Sequence, residues 1–392
     1  MPGRAPASTR GGRPRNRRAL ILAAAAQLFI ERGYRRVAMS DLAGAVGIGP
    51  SALYRHFSGK EAVLTTVIED ELRRARAAVV ELDPADVGAS TRALAAQALE
   101  QRHLGLLWQR EARNLGPESR RRLRVLVGAI ASGIATFVRT TRPDLDRRTA
   151  DLLGLSVIAV LTSLSFHHFE LPRPEYERLL AELVTVVLGT DVRLPHPVPV
   201  DRPRPRLVPA ARREVLLDKA IRMFADHGYD QVGIEDIGNA VGIAGPSVYN
   251  HWPTKLDLLL TALQRGAAVL AVDVASTYRL AATPAEALEL LARSHIARSR
   301  THPEVFGLLI TDLDNLPDEE RAAVHRAQQD YLGEWTHLLL LDRPDLDPVA
   351  ARIRVHAALA LAHATARTQR PRRDPAVATA VETLYLRILT GH

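Results

Sequence analysis

The chain has 392 residues, enough at roughly 100–200 residues per domain for two to four domains with ample core. Apolar residues make up 47%, charged residues 24% and aromatics 5%, a balance that suits packed helices, and the absence of cysteine excludes disulfides, cysteine-ligated zinc, iron–sulfur clusters and cysteine nucleophiles. The formal charge of +8 lies wholly in the first sixth, where residues 1–64 carry 11 Lys/Arg against 3 Asp/Glu.

Residues 1–16 form an acid-free basic arm with Arg4, Arg10, Arg13 and Arg15, continued by Arg17 and Arg18. Such an arm either draws in a polyanion or is a solvated tail. It lacks the apolar stretch of a secretion signal, and the apolar run 152–164 is interrupted by Gly154, Ser156, Thr162 and Ser163 and is shorter than the ~20 residues that span a bilayer. A soluble, cytoplasmic, all-α protein is expected. Residues 19–31 read as an amphipathic helix through Leu22, Ala25, Leu28 and Phe29, ending at Gly33. A short helix over 39–46, a turn at Gly47, a helix over 50–56 and another opening at Lys60 give helix-turn-helix geometry over 17–64. A helical ligand and dimerisation domain follows over 65–188. Six prolines between 189 and 210 forbid a helix and make that stretch a strap, with Arg202, Arg204, Arg206, Arg212 and Arg213 as a second basic arm.

The chain then repeats itself. Residues 17–64 align with 212–259 without a gap, at an offset of 195: Phe29 on Phe224, Gly33-Tyr34 on Gly228-Tyr229, Tyr54 on Tyr249, His56 on His251 and Lys60 on Lys255. The chain has three lysines, and two of them share this one repeat position. Farther on, Asn114-Leu115 and residues 142–146 recur as Asn315-Leu316 and residues 343–347 at an offset of 201. A second helix-turn-helix domain over 211–259 and a second helical domain over 260–392 are expected.

The runs AAAAQLFIERGY and DLAGAVGIGPSALYRHFSGKEAVL resemble the DNA-binding domain of TetR-type transcriptional regulators, and MFADHGYDQVGIEDIGNAVGIAGPSVYNHWPTKLDLLL resembles it again. Residues 108–115 are similar to the ligand domain of actinobacterial members controlling lipid and sterol genes, and the tandem form is similar to the regulator of an mce-type lipid-uptake operon. The resemblance implies that Tyr54 and Tyr249 place a phenol on a phosphate and that Lys60 and Lys255 add an ammonium at a helix start, where dipole and free amides also favour phosphate. It implies base reading by Pro50, Ser51, Ala52, Arg55 and His56 with Ser40 beside them, and by Gly245, Pro246, Ser247, Asn250 and His251 with Glu235. Arginine suits guanine and asparagine suits adenine. Arg15, Arg17, Arg204 and Arg206 would follow the backbone. The plainer readings are that the lysines are solvated helix starts, that Pro50 and Pro246 only start helices, and that Tyr54 is core; Leu53, Val248, Phe57 and Trp252 are read as core outright.

The two ligand domains should pair as an internal pseudo-dimer through helices at about 148–169 with 174–188 and about 348–367 with 375–389. The unlike pairs Arg55/Asn250, Ser51/Pro246 and Ser40/Glu235 predict unlike half-sites in a double-stranded DNA operator. Residues 211–260, with 5 Lys/Arg against 7 Asp/Glu, predict the weaker head. Control is expected through a small apolar effector such as a lipid, sterol or acyl-CoA. Leu104, Leu107, Trp108, Phe137, Phe166 and His167 are candidate contacts, or plain core. No cofactor and no metal are expected: no GxGxxG, Walker loop, HExxH or GxSxG occurs, and His167 and His168 point about 100° apart on a helix. The rival reading keeps one working head and makes the second repeat a sensor, with two chains on one operator.

Overall fold

In a computed structural model the described residues are 17–195, 207–368 and 374–391, and among them there are helices and turns but no strand. The first unit opens with α1 (Arg17–Arg32), α2 (Met39–Ala45) and α3 (Pro50–Tyr54), followed by α4 (Lys60–Val80), which runs from the head into the body. Ile21, Leu22, Ala25 and Phe29 share one buried face of α1, while Val63, Leu64, Val67, Ile68 and Leu72 do so on α4. The body holds α5 (Val87–Glu100), α6 (Leu104–Leu106), a π-helical turn over Leu107–Glu111, α7 (Pro117–Thr141), α8 (Arg147–Thr162) and α9 (Arg173–Gly189). The second unit repeats this order as α10 (Arg212–His227), α11 (Ile234–Ala240), α12 (Gly245–Val248), α13 (Lys255–Leu280), α14 (Pro284–Thr301), α15 (Pro303–Thr311), α16 (Asp318–Asp342), α17 (Pro348–Arg367) and α18 (Pro375–Thr390).

The repeated segments 142–146 and 343–347 explain themselves. Asp146 and Asp347 cap α8 and α17, accepting from Thr149 N at 2.8 Å and from Val349 N at 2.9 Å. Arg142 and Arg343 grip Asp144 and Asp345 and donate to the last carbonyls of α9 and α18, at Leu188 and Thr390. Each helix pair is thereby tied at one end.

α8 packs along α17 and α9 meets α18, so the equivalent helices of the two units face each other. α8 is buried on nearly every side by Leu152, Leu153, Val157 and Val160, as a helix covered by its own unit and by a partner must be. It ends sooner than expected: a tight turn takes Ser163–Phe166, and His167 is extended at φ −153°. The first head, the first body, most of the second body and the start of the strap share one continuous core, and the second head shares a separate core with Leu308, Leu309, Leu316 and Val324 of the second body. Within the strap, Val192 and Leu194 are buried and Leu194 N donates to Thr149 Oγ1 at 3.1 Å, so its proline-poor beginning belongs to the first body. By length and composition α7, α8 with its following turn, and α13 could each cross a membrane, which the interrupted run 152–164 had argued against. In the fold all three are bundle helices packed on their neighbours.

Candidate nucleic-acid interface

α2 and α3 are set by a turn in which Gly47, at φ +65°, takes a backbone conformation that side chains disfavour, while Ile48 N donates to Ala43 O at 3.0 Å. Asp41 accepts from Ala38 N at 2.7 Å and starts α2, and Pro50 occupies the first turn of α3. Leu53 and Phe57 are buried below. Tyr54 is 54% exposed, and Ser40, Pro50, Ser51, Arg55 and His56 are exposed with it, Ala52 being half-buried. Five polar or small side chains and a phenol on α2, α3 and the turn after it are therefore open to solvent. Tyr54 is not core, which removes that plainer reading.

The second head repeats the turn through Gly242 and the core through Val248 and Trp252, and leaves Tyr249, Pro246, Asn250 and Glu235 exposed, with Ser247 and His251 half-buried. Two glycines bring α11 and α12 closer than their counterparts. At Gly238 a Cβ would meet Ile243 O at 2.9 Å, and at Gly245 a Cβ would lie 2.7 Å from Glu235 Cγ. Gly245 is buried, so the expectation that it reads bases is corrected: it admits Glu235, whose side chain crosses the start of α12.

Both lysines are half-buried and bonded, which removes the plainer reading of them as solvated helix starts. Lys60 Nζ donates to Tyr34 O at 2.9 Å and to Arg35 O at 3.4 Å, and lies 4.3 Å from the Tyr34 ring centre. Lys255 Nζ donates to the Tyr229 and Val232 carbonyls, both at 3.0 Å, and lies 4.0 Å from the Tyr229 ring. Partial burial pushes both ammonium groups below the usual lysine range. Two donors of each ammonium bind the loop after the first helix of its head and clamp that loop to α4 or α13. Nothing in the sequence pattern separates such a clamp from a solvated lysine at a helix start.

Arg17 is exposed at the start of α1. Arg15, Arg204 and Arg206 lie outside the described residues. In the second head Arg213 is held over the Trp252 ring at 3.7 Å and donates to His251 O at 2.6 Å.

Sequence reasoning missed a joint between the units beneath the heads. Arg113 donates to Asp312 Oδ2 at 2.6 Å and Oδ1 at 3.0 Å, and to Thr311 O at 2.9 Å. Arg110 reaches Asp314 Oδ2 at 3.2 Å, Arg36 reaches Asp314 O at 2.7 Å, and Arg35 lies 3.5 Å from Asp230. All the cations come from the first unit and all the acids from the second. The unlike residues at Arg110/Thr311 and Arg113/Asp314 were the available signal.

Of the candidate effector contacts, Phe166 lines a cavity of about 450 Å³ between the units. Leu107, Phe137 and His167 are buried core, and Leu104 and Trp108 pack against that core, so the expectation of a pocket at these five is corrected. Burial and the neighbouring His356 push His167 down to about 2.

Residues 21–67 and 216–262 each match the family described as bacterial regulatory proteins, tetR family. The HTH-type transcriptional activator FasR of Mycolicibacterium smegmatis is 40% identical over 60 residues, 15% of this chain and 27% of that protein. The HTH-type transcriptional repressor Rv1474c of Mycobacterium tuberculosis is 32% identical over 127 residues, 31% of this chain. The aligned parts span 27% and 60% of these relatives' own lengths. The solved structure of the ketosteroid transcriptional regulator KstR2 of Mycobacterium tuberculosis superposes on 47% of this chain and 97% of its own, with 22% identity and a TM-score of 0.43. The two matched segments are the two heads, so the chain carries in tandem two copies of the DNA-binding unit of the family described as bacterial regulatory proteins, tetR family.

Proposed function

We propose that one chain binds a double-stranded operator with both heads, as an intrachain pseudo-dimer, and represses transcription in the cytoplasm until a small apolar effector changes the spacing of the heads. The observation that carries this reading is the pairing of two unlike recognition faces, Ser51-Tyr54-Arg55 and Pro246-Tyr249-Asn250, on units joined through α8 and α17. Tyr54 and Tyr249 contact phosphate, Arg55 reads guanine in one half-site and Asn250 adenine in the other, with Ser40, Pro50, Ala52, His56, Pro246, Ser247 and His251 around them. The operator is then imperfectly palindromic or non-palindromic. A lipid, sterol or acyl-CoA as effector, and lipid or sterol uptake genes as targets, rest on the resemblance alone.

A second reading is favoured by the acid excess of the second head, 5 Lys/Arg against 7 Asp/Glu over 211–260, and by Gly238 where the first head has Ala43: the second head is a weak reader, the second unit is mainly a sensor, and two chains share an operator. Titrating the chain with its own upstream intergenic DNA separates the two. One chain per operator, with losses from both Tyr54→Ala and Tyr249→Ala, upholds the pseudo-dimer. Two chains per operator, with a loss from Tyr54→Ala alone, transfers the case to the second reading.

A further inference from the structure

The two units share a fold but not the chemistry of their cores. At the offset of 201, His295, Tyr331, Trp335 and Tyr385 stand where the first unit has Leu94, Ile130, Ile134 and Val184, and all eight are buried. The first unit therefore demonstrates that apolar side chains suffice at these positions. Burying a polar group without a partner costs free energy. Yet His295 Nε2, His363 Nε2, Trp335 Nε1, Tyr385 Oη and Ser299 Oγ are buried in the second unit with no hydrogen-bond partner among the described residues. The rings form one cluster, with the His295 ring centre 5.3 Å from His363, 5.4 Å from Phe306, 5.9 Å from Tyr331 and 6.2 Å from Tyr385. His295 Nδ1 and the Tyr331 hydroxyl share a hydrogen bond of 2.9 Å, which leaves Nε2 for another partner.

His295, His363, Tyr331 and Phe306 line the cavity of about 450 Å³ between the units, and the first unit contributes Phe166 and Gln109. Burial keeps both histidines neutral, with His363 pushed down to about 4. The two arginines of the lining are engaged, Arg110 with Glu111 and Asp314 and Arg367 with Gln109 Oε1 at 3.0 Å. Beside these charged groups the two histidines and Tyr331 offer neutral hydrogen-bonding atoms set in aromatic and aliphatic surface.

We propose that this cavity between the units is the effector site, taking one amphipathic molecule whose uncharged carbonyl or hydroxyl oxygen is bonded by His295 and His363 and whose apolar body lies against Phe306 and Phe166. The site lies among the helices of the second body and is closed on one side by the first unit, through Gln109, Arg110 and Phe166. Arg110, Thr311 and Asp314 line the same cavity, and they or their neighbours make the contacts beneath the heads. Occupancy therefore bears on both sides of the joint that sets head spacing.

The inference deepens the reading of the chain as an effector-controlled operator binder and rests on it, so ligand binding and operator binding are measured separately on the intact chain. Medium-chain primary alcohols and methyl ketones, beside the matching carboxylates, are titrated by calorimetry, and operator affinity is followed by fluorescence anisotropy. An alcohol or ketone is expected to bind saturably and to change operator affinity at least fivefold. The double variant His295→Leu/Tyr331→Phe, which installs the leucine of the first unit without stranding the phenol, should weaken ligand binding at least tenfold. It should unfold no earlier than wild type and keep its ligand-free operator affinity. His363→Leu provides a second variant with the same expectation. Failure of every alcohol and ketone to bind, variants that bind as wild type does, or carboxylates that bind more tightly than their alcohols overturn the proposal. Saturable binding with no change in operator affinity overturns its regulatory part. Ligand binding by a chain that binds no operator supports the site and removes the DNA reading instead.

Discussion

Replacing Arg113 with alanine tests whether one buried joint holds the two heads in register. Asp312 is 0% exposed and Arg113 15% exposed at the side chain, and the guanidinium is the carboxylate's counter-charge. Without it, Asp312 keeps three neutral donors: the Thr311 hydroxyl at 2.7 Å, Asn315 Nδ2 at 3.1 Å and Tyr229 N at 3.3 Å. Removing one partner of a buried pair costs about 3–5 kcal/mol because the other charge is stranded, and the surviving donors put this site near the lower end, at about 3 kcal/mol. At roughly 2–4 °C per kcal/mol for units of this size, the transition involving the second head should fall by about 6–12 °C. Thermal and urea unfolding of Arg113→Ala, Asp312→Asn and the double variant measure the coupling. Asp312→Asn on the Arg113→Ala background removes the stranded charge and should restore more than half of the loss. Affinity for an operator of fixed half-site spacing should drop with Arg113→Ala, while affinity for an isolated half-site stays. A loss below about 1 kcal/mol, the value of an exposed pair, or no recovery in the double variant, refutes the reasoning.

Acid should loosen the seam between the units. Burial pushes His356 and His363 down to about 4 and His167 to about 2, so the unfolded chain takes these protons first. Stability is then constant above pH ~6.5 and falls below it by about 1.4 kcal/mol per pH unit for each such histidine, until its folded value is reached; an unfolding free energy flat down to about pH 5 contradicts this. Gly238→Ala should destabilise the second head by about 1–3 kcal/mol, since the Cβ meets a carbonyl oxygen at 2.9 Å and Val248 Cγ2 at 3.1 Å. Hydrogen exchange confined to α11 and α12 reads it, and unchanged protection there counts against the close packing. Arg55→Ala and Asn250→Ala should each cost about 1–3 kcal/mol of operator binding and relax base preference in different half-sites. Site selection that relaxes the same half-site for both rejects the assignment. Lys60→Ala should lower thermal stability before it lowers the salt dependence of binding, because its ammonium is bonded to Tyr34 O and Arg35 O; a reduced salt slope at unchanged stability favours the phosphate role.

Much of this protein was legible because its rules are local. Helical spacing marked Leu22, Ala25 and Phe29, Gly47 marked a turn that needs positive φ, and Pro50 marked a helix start, each within a few residues of its cause. The recurrence of those marks at an offset of 195 pointed to two heads, and the recurrence of 142–146 at 343–347 pointed to a second copy of the body. A short loop and the helices beside it leave few conformations open, so a pattern of spacing suffices.

The remainder depended on residues that meet only through packing. Whether the ammonium of Lys60 points to solvent or to Tyr34 O is decided by a loop 26 positions earlier in the chain. Gly245 reads as an exposed reader by alignment with Pro50, and only the approach of α11 buries it under Glu235. Arg113 and Asp312 are 199 positions apart, and His295 and Phe166 line one cavity only because α8 lies on α17. Periodicity settles which face of a helix is apolar; it is the close packing of one unit against the other that decides which polar groups are shut away from water, and so where charge and hydrogen bonding can do work.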